Sequence, residues 1–217
     1  GAGEISVNPI RIELGPGQRT GTLTITNDGD KPTVLQATVK QWKQADGGHV
    51  YEPAQDVIAT PVLFRVAPRS RQLVRVGFTK PPASPASELS YRVYLTEVPE
   101  DKPGESQVRF LLQLGVPMFV APTSTQDGLD WRISREADGR LRLAAENRGN
   151  RHVRVQSLRL EDGRGSLLEQ QELIYLLAGG RHEWLLKPQR APEDGALRLR
   201  IQSGRGPLEV NLDLGTR

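Results

Sequence analysis

Polar and apolar residues alternate with period two along most of this chain, the signature of half-buried β-strands. Thr22-Leu23-Thr24-Ile25-Thr26 puts Leu23 and Ile25 on one side and three threonines on the other. It stops at Asn27-Asp28-Gly29-Asp30, a cluster of turn formers. A second strand is expected from Val34 to Trp42, turned by Asp46-Gly47-Gly48. Gln72 to Phe78 alternates again, with Leu73 facing one way and Val74, Val76 and Phe78 the other. Tyr91-Arg92-Val93-Tyr94-Leu95 is rich in strand formers and halts at Pro99, and the next strand is expected from Val108 to Phe119. No segment keeps a helical period over three turns.

Pro122-Thr123-Ser124-Thr125 reads as a linker, short and polar after the longest apolar run. The rhythm then resumes. Trp131-Arg132-Ile133 and Leu141-Arg142-Leu143 flank a hairpin turn at Ala137-Asp138-Gly139-Arg140, and further strands are expected around Val153–Leu160, Ile174, Trp184, Leu197–Ile201 and Leu208–Leu214. The expected fold class is all-β, with about seven strands in each half, the count and spacing of β-sandwiches. The expected domains are residues 1–122 and 123–217. The halves share a rhythm but no repeat that aligns by eye.

Composition narrows the function classes. A chain of 217 residues can bury a core in one or two domains without a metal or disulfide staple. The core is expected to be aliphatic, since aromatics make up only 5%. A net charge of +3 argues against nucleic acid as a partner, and Arg148, Arg151 and Arg154 have no interleaved aromatics. There is no cysteine, so thiol chemistry says nothing about compartment. No stretch approaches the roughly 20 apolar residues of a membrane span, so no direct membrane insertion is expected. Gly1-Ala2-Gly3 reads as a processed end or a cloning scar, so a mature exported protein without its signal peptide is the expectation.

Enzyme chemistry finds no support. His49, His152 and His182 stand singly and are expected on the surface, without metal-pair spacing. There is no Gly-x-Ser-x-Gly elbow and no phosphate loop, and the turns at Gly163-Arg164-Gly165 and Gly204-Arg205-Gly206 are followed by no helix. No catalytic residue, metal or cofactor is expected.

The informative segment is Val108-Arg109-Phe110-Leu111-Leu112-Gln113-Leu114-Gly115-Val116. Val108, Phe110, Leu112 and Leu114 share one face of a strand, and Arg109, Leu111 and Gln113 share the other. Pattern alone favours an ordinary core strand. Position suggests otherwise: the last strand before a linker often lies at a sheet edge, where such residues are a hazard unless they have a dedicated partner.

Several ordered motifs resemble one family, the PapD-like pilus chaperones of the chaperone–usher pathway. Asp56-Val57-Ile58-Ala59-Thr60-Pro61, followed by Phe64-Arg65-Val66-Ala67-Pro68, is similar to the family's Val-Ile-Ala-Thr-Pro stretch and its Pro-capped strand. Ser90-Tyr91-Arg92-Val93-Tyr94-Leu95-Thr96-Glu97-Val98-Pro99 resembles its Tyr-x-x-x-Leu-x-Glu-Ile-Pro strand. Leu112 to Pro122 resembles the end of its donor strand, and Ile5-Ser6-Val7-Asn8-Pro9-Ile10-Arg11 its N-terminal segment. Glu146 to Val155 is a weaker match to its second-domain turn. The likeness covers most of residues 5–122.

The resemblance implies two immunoglobulin-like β-sandwiches set at an angle in a boomerang shape. It implies a periplasmic, non-enzymatic chaperone whose partners are pilus subunits lacking their last strand and an outer-membrane usher. Such a chaperone lends its own last first-domain strand to the subunit, with Val108, Phe110, Leu112 and Leu114 filling pockets. Burying four such side chains gives roughly 6–12 kcal/mol before ordering costs. The family fixes the subunit's C-terminal carboxylate with a basic pair. Arg11 matches the first of the pair, but the second position falls on Pro117. Arg92 is the candidate replacement, since a guanidinium suits bidentate carboxylate binding. The altered anchor points to an archaic or alternative branch. The short loop Glu100–Gln107 disfavours the long-loop group that builds thin capsular fibres. The competing reading is a two-domain immunoglobulin-like adhesin or binding module, although Trp42, Trp131 and Trp184, spread over both halves, suit sandwich cores better.

Overall fold

This computed structural model describes residues 4–45, 48–81, 85–100, 110–193 and 195–215. The alternating segments form strands, with no α-helix among the described residues. Before the linker lie β1 (Ile5–Asn8), β2 (Ile12–Leu14), β3 (Thr20–Asn27), β4 (Thr33–Ala45), β5 (Gly48–Pro53), β6 (Val57–Thr60), β7 (Leu63–Val66), β8 (Ser70–Phe78), β9 (Leu89–Glu97) and β10 (Gln113–Val120). After it come β11 (Leu129–Arg135), β12 (Leu141–Asn147), β13 (Val153–Asp162), β14 (Gly165–Leu176), β15 (Arg181–Leu186), β16 (Ala196–Ser203) and β17 (Gly206–Asp213). The chain forms two compact units, Gly1–Lys43 with Val50–Thr123, and Gln44–His49 with Ser124–Arg217.

In the first unit one sheet runs β1-β3-β8-β6 and the other β2-β10-β9-β4-β5, with β7 also on β4. Among the described residues the first unit holds ten strands against the expected seven, and two chain segments account for two of the extra three. The N-terminal segment pairs with β3 in one sheet and then with β10 in the other, so it counts as β1 and β2. Residues 57–66 likewise form two short strands, β6 and β7, in different sheets. Leu23 and Ile25 of β3, Val74 and Val76 of β8, and Val93 and Leu95 of β9 are fully buried between the sheets. Leu73 faces out, as its parity predicts. The aliphatic core thus follows directly from period two, each strand contributing every second residue.

The second unit has a three-stranded sheet, β11-β12-β15, and a four-stranded sheet, β14-β13-β16-β17. Strand β16 is the plainest case: Leu197, Leu199 and Ile201 point in while Arg198, Arg200 and Gln202 point out. The β11–β12 hairpin turns at Gly139, whose φ of 88° is a left-handed value that glycine adopts without strain. Trp131 and Trp184 stack inside this unit, with ring centroids 5.7 Å apart.

Three expectations need correction. The strand expected from Val108 begins at Gln113, and Val108 lies outside the described residues. His152, expected on the surface, is buried against the Tyr175 ring, and His182 is half-buried with its ring 4.5 Å from that of Trp184. Trp42 is buried, but on the face of β4 opposite the first unit's core, because it shares parity with Lys40 rather than with Leu35 and Ala37.

Candidate functional site

Strand β10 has different neighbours along its two edges. On one side β9 runs antiparallel beside its whole length, from Gln113 opposite Thr96 to Val120 opposite Leu89. On the other side β2 runs parallel and reaches only Met118, Phe119 and Val120. Among the described residues, the edge of β10 from Gln113 to Pro117 has no strand beside it.

The alternation of backbone groups decides what that edge offers. Glu97 N–H donates to the Leu112 carbonyl, and Ala121 N–H donates to the Leu14 carbonyl. Even-numbered residues therefore bond toward β9, and the N–H and C=O of Gln113 and Gly115 point out of the free edge. Pro117 is next in that row. Proline fits this strand because its nitrogen faces away from β9, where no donor is required. At the start of the strand, Leu112 N–H donates to the Glu97 carboxylate at 3.0 Å.

The apolar row is graded. Phe110 is 91% exposed, whereas Leu112 and Leu114 are half-buried and already pack against the first unit's own core. Val116, next in the row, is a full core residue. The segment expected to face a partner is thus split: its leading end is free and its trailing end already belongs to the molecule.

The outward face of the same sheet gathers the basic residues. Ile12 lies opposite Met118 in a parallel pairing, so Arg11 stands level with Pro117. Pro117 is opposite Arg92, and Arg92 is opposite Lys40. The row Arg11–Pro117–Arg92–Lys40 therefore crosses four adjacent strands or their extensions. Arg11 and Arg92 are two strand spacings apart along the backbone, about 10 Å. The Arg92 guanidinium lies 4.3 Å from the Trp42 ring centroid and 5.3 Å from that of Tyr51, a cation–π arrangement. Its head thus leans toward β4 and β5, away from Pro117. Its Nε is buried without a hydrogen-bond partner. Burial pushes the Tyr51 hydroxyl up from its ordinary pKa, against the opposing pull of the Arg92 charge.

Among the described residues no carboxylate pairs with Arg11, Lys40 or Arg92. The outward positions of β4, β9 and β10 around the row carry no acidic side chain. Sequence reasoning named Arg11 and Arg92. Lys40 had no signal of its own, because only the strand register places it opposite Arg92.

Other polar groups are structural. Tyr91 donates to Asp56 at 2.9 Å, and burial, then this contact, push its pKa up. No group of three or more His, Cys, Asp or Glu that could hold a metal occurs among the described residues. Among the described residues no helix is long and apolar enough to cross a membrane. The indole of Trp184 packs inside the second unit and donates to Glu172, and that of Trp131 packs at the core's margin.

Residues 4–126 match the family described as pili and flagellar-assembly chaperone, PapD N-terminal domain. Among solved structures the chain is similar to one in the CsuC–CsuE chaperone–tip adhesion subunit pre-assembly complex from archaic chaperone-usher Csu pili of Acinetobacter baumannii. That match has a TM-score of 0.73 at 16% identity and covers 98% of this chain and 99% of the other. The YadV chaperone gives a TM-score of 0.70 at 16% identity, covering 97% of this chain and 100% of YadV. The E. coli chaperone DraB gives 0.63 at 20% identity, covering 95% and 97%. At these identities the likeness is one of fold. No curated protein matches in sequence.

Proposed function

The chain belongs to the pili and flagellar-assembly chaperones with a PapD N-terminal domain, and from that premise we propose that it holds pilus subunits in the periplasm by lending them β10 as a missing strand. The free edge of β10 beside exposed Phe110 carries this reading. A subunit that lacks its last strand presents an open groove. The N–H and C=O groups of Gln113 and Gly115 pair with the groove's edge in a sequence-independent way, as in strand addition. Phe110 enters a pocket, which is worth about 2–3 kcal/mol for full burial. Leu112 and Leu114 add less than their full value, since each is already partly covered. Delivery to an outer-membrane usher and replacement by the next subunit's own strand complete the proposed cycle.

The bound subunit ends in a carboxylate, and the outward row offers cations that have no carboxylate partner among the described residues. Arg92 is the favoured anchor and Arg11 a second candidate. The Trp42 ring holds the Arg92 stem and head in place, so little ordering cost remains when an anion binds.

Phe110→Asp is the decisive variant. The side chain is almost wholly exposed, so the free chaperone keeps its melting temperature while capture of a strand-deficient subunit is lost. Retained capture would overturn the strand-lending reading. The Phe110/Leu112 double change is less informative, because Leu112 also packs on the protein's own core.

A further inference from the structure

The pairing of β2 with β10 stops at Met118, and the hydrogen-bond pattern gives a reason. In a parallel ladder each bonding residue of β2 donates to one residue of β10 and accepts from the residue two further along. Ala121 N–H donates to the Leu14 carbonyl at 2.8 Å. Leu14 is opposite Val120 and Ile12 is opposite Met118. The bonding residues of β2 are therefore the even-numbered ones, and those of β10 on this edge the odd-numbered ones. One step further back Ile10 comes level with Val116, and its carbonyl needs the N–H of residue 117. Pro117 has none.

Ile10 would gain from that step. Its side chain is 63% exposed. In a longer β2 it shares the face of Ile12 and lies beside Val116, both of which are buried. The same step brings the Ile10 N–H onto the Gly115 carbonyl, one of the groups on the free edge. It goes no further, because Asn8 is already held opposite Thr24 in the β1–β3 pairing.

We propose that Pro117 keeps the lent half of β10 open, by stopping the protein's own N-terminal segment from closing over it. This rests on the strand-lending reading above. Pro117 is a positioning residue: it sets where β2 ends, and so how many edge groups an incoming strand finds unpaired. A lent edge cannot be guarded by burying it or by a charge pointing across it, since either would turn the partner away too. Withholding one donor discourages the segment that must approach through residue 117. It leaves the N–H and C=O groups of Gln113 and Gly115 available.

The test restores the missing N–H. Pro117→Ala and Pro117→Val supply the same donor with different side chains, and amide hydrogen exchange is followed by NMR in the whole, free chaperone. The amide of residue 117 is expected to exchange at least about tenfold more slowly than that of Gln113, which faces the free edge, and the Ile10 amide to slow relative to wild type. Capture of a strand-deficient pilus subunit is expected to weaken by roughly threefold to tenfold, the worth of one hydrogen bond. Should the residue 117 amide in both variants exchange as fast as that of Gln113, with Ile10 unchanged, Pro117 does not set the end of β2 and the proposal is overturned. Slowed amides with undiminished capture would overturn it as well, since closure would then take nothing from the partner. The exchange experiment needs no subunit, so its outcome is separate from that of Phe110→Asp, which decides strand lending itself.

Discussion

Asn27 and Asn147, the last residues of β3 and β12, make the same three hydrogen bonds in the two units. Asn27 Nδ2 donates to the carbonyls of Lys31 at 2.8 Å and Val66 at 3.2 Å, and its Oδ1 accepts from Gly29 N–H at 3.0 Å. Asn147 Nδ2 donates to the carbonyls of Arg151 at 2.9 Å and Leu176 at 3.1 Å, and its Oδ1 accepts from Gly149 N–H at 3.0 Å. Both side chains are almost wholly buried. The segments Asn27-Asp28-Gly29-Asp30-Lys31 and Asn147-Arg148-Gly149-Asn150-Arg151 are therefore equivalent turns, each tied to a carbonyl on a distant strand.

Replacing either asparagine by aspartate keeps the acceptor and removes both donations. The carbonyls left unpaired cost about 1–3 kcal/mol. Asn27→Asp should lower the denaturation midpoint of the first unit and Asn147→Asp that of the second, read separately by amide exchange in each unit.

Asp162 is the strongest acid-sensitive group. Its covered carboxylate takes a two-bond fork from Arg190, at 2.6 and 2.8 Å, and accepts from the N–H groups of Arg164 and Glu193. These contacts hold its pKa well below the usual carboxylate range, the Arg190 hydrogen bonds being the largest cause. Stability from this group is complete above the ordinary carboxylate pKa of about 3.9 and is lost as pH falls through the depressed value. Melting temperature measured from pH 5 downward should drop less steeply in Asp162→Asn, which starts from a lower plateau.

His182 works at milder pH. Burial lowers its pKa, outweighing the opposing charges of Glu172 and Glu183. The folded state prefers the neutral ring, so its contribution is intact above the ordinary value of about 6.5 and is lost as pH falls through the lowered one. His182→Gln should flatten the pH dependence of second-unit melting between about pH 7 and 5, followed by the fluorescence of Trp131 and Trp184.

Glu97 holds the leading end of β10 with both its backbone and its side chain. Glu97→Ala should speed hydrogen exchange at the Leu112 amide by about tenfold, the worth of one such bond. Glu97→Gln, which keeps an acceptor oxygen, should restore protection. Unchanged exchange in the alanine variant would show that the Glu97 carboxylate does not protect this amide.

Much of the fold was legible because a strand writes its two faces into alternate residues. Thr22–Thr26, Gln72–Phe78 and Leu197–Ile201 each occupy the strand and faces that alternation predicts. The turn repeat at Asn27 and Asn147 was missed because its meaning lies in hydrogen bonds to Val66 and Leu176, far along the chain. Trp42 was misplaced for a related reason: period two separates a strand's faces without saying which one meets the core.

The Val108–Leu114 segment shows the same division. Its alternating apolar residues, and the likeness of the surrounding motifs to pilus chaperones, stood in the sequence. Where the free edge lies was decided by β2, whose pairing stops at Met118. That Leu112 and Leu114 already touch the core while Phe110 does not was decided by sheet packing. The placement of Lys40 beside Arg92 came from the register of β4 on β9. Local alternation is a property of neighbours along the chain and can be read from it. Register, edge and depth depend on contacts between distant segments, and only the folded chain brings those together.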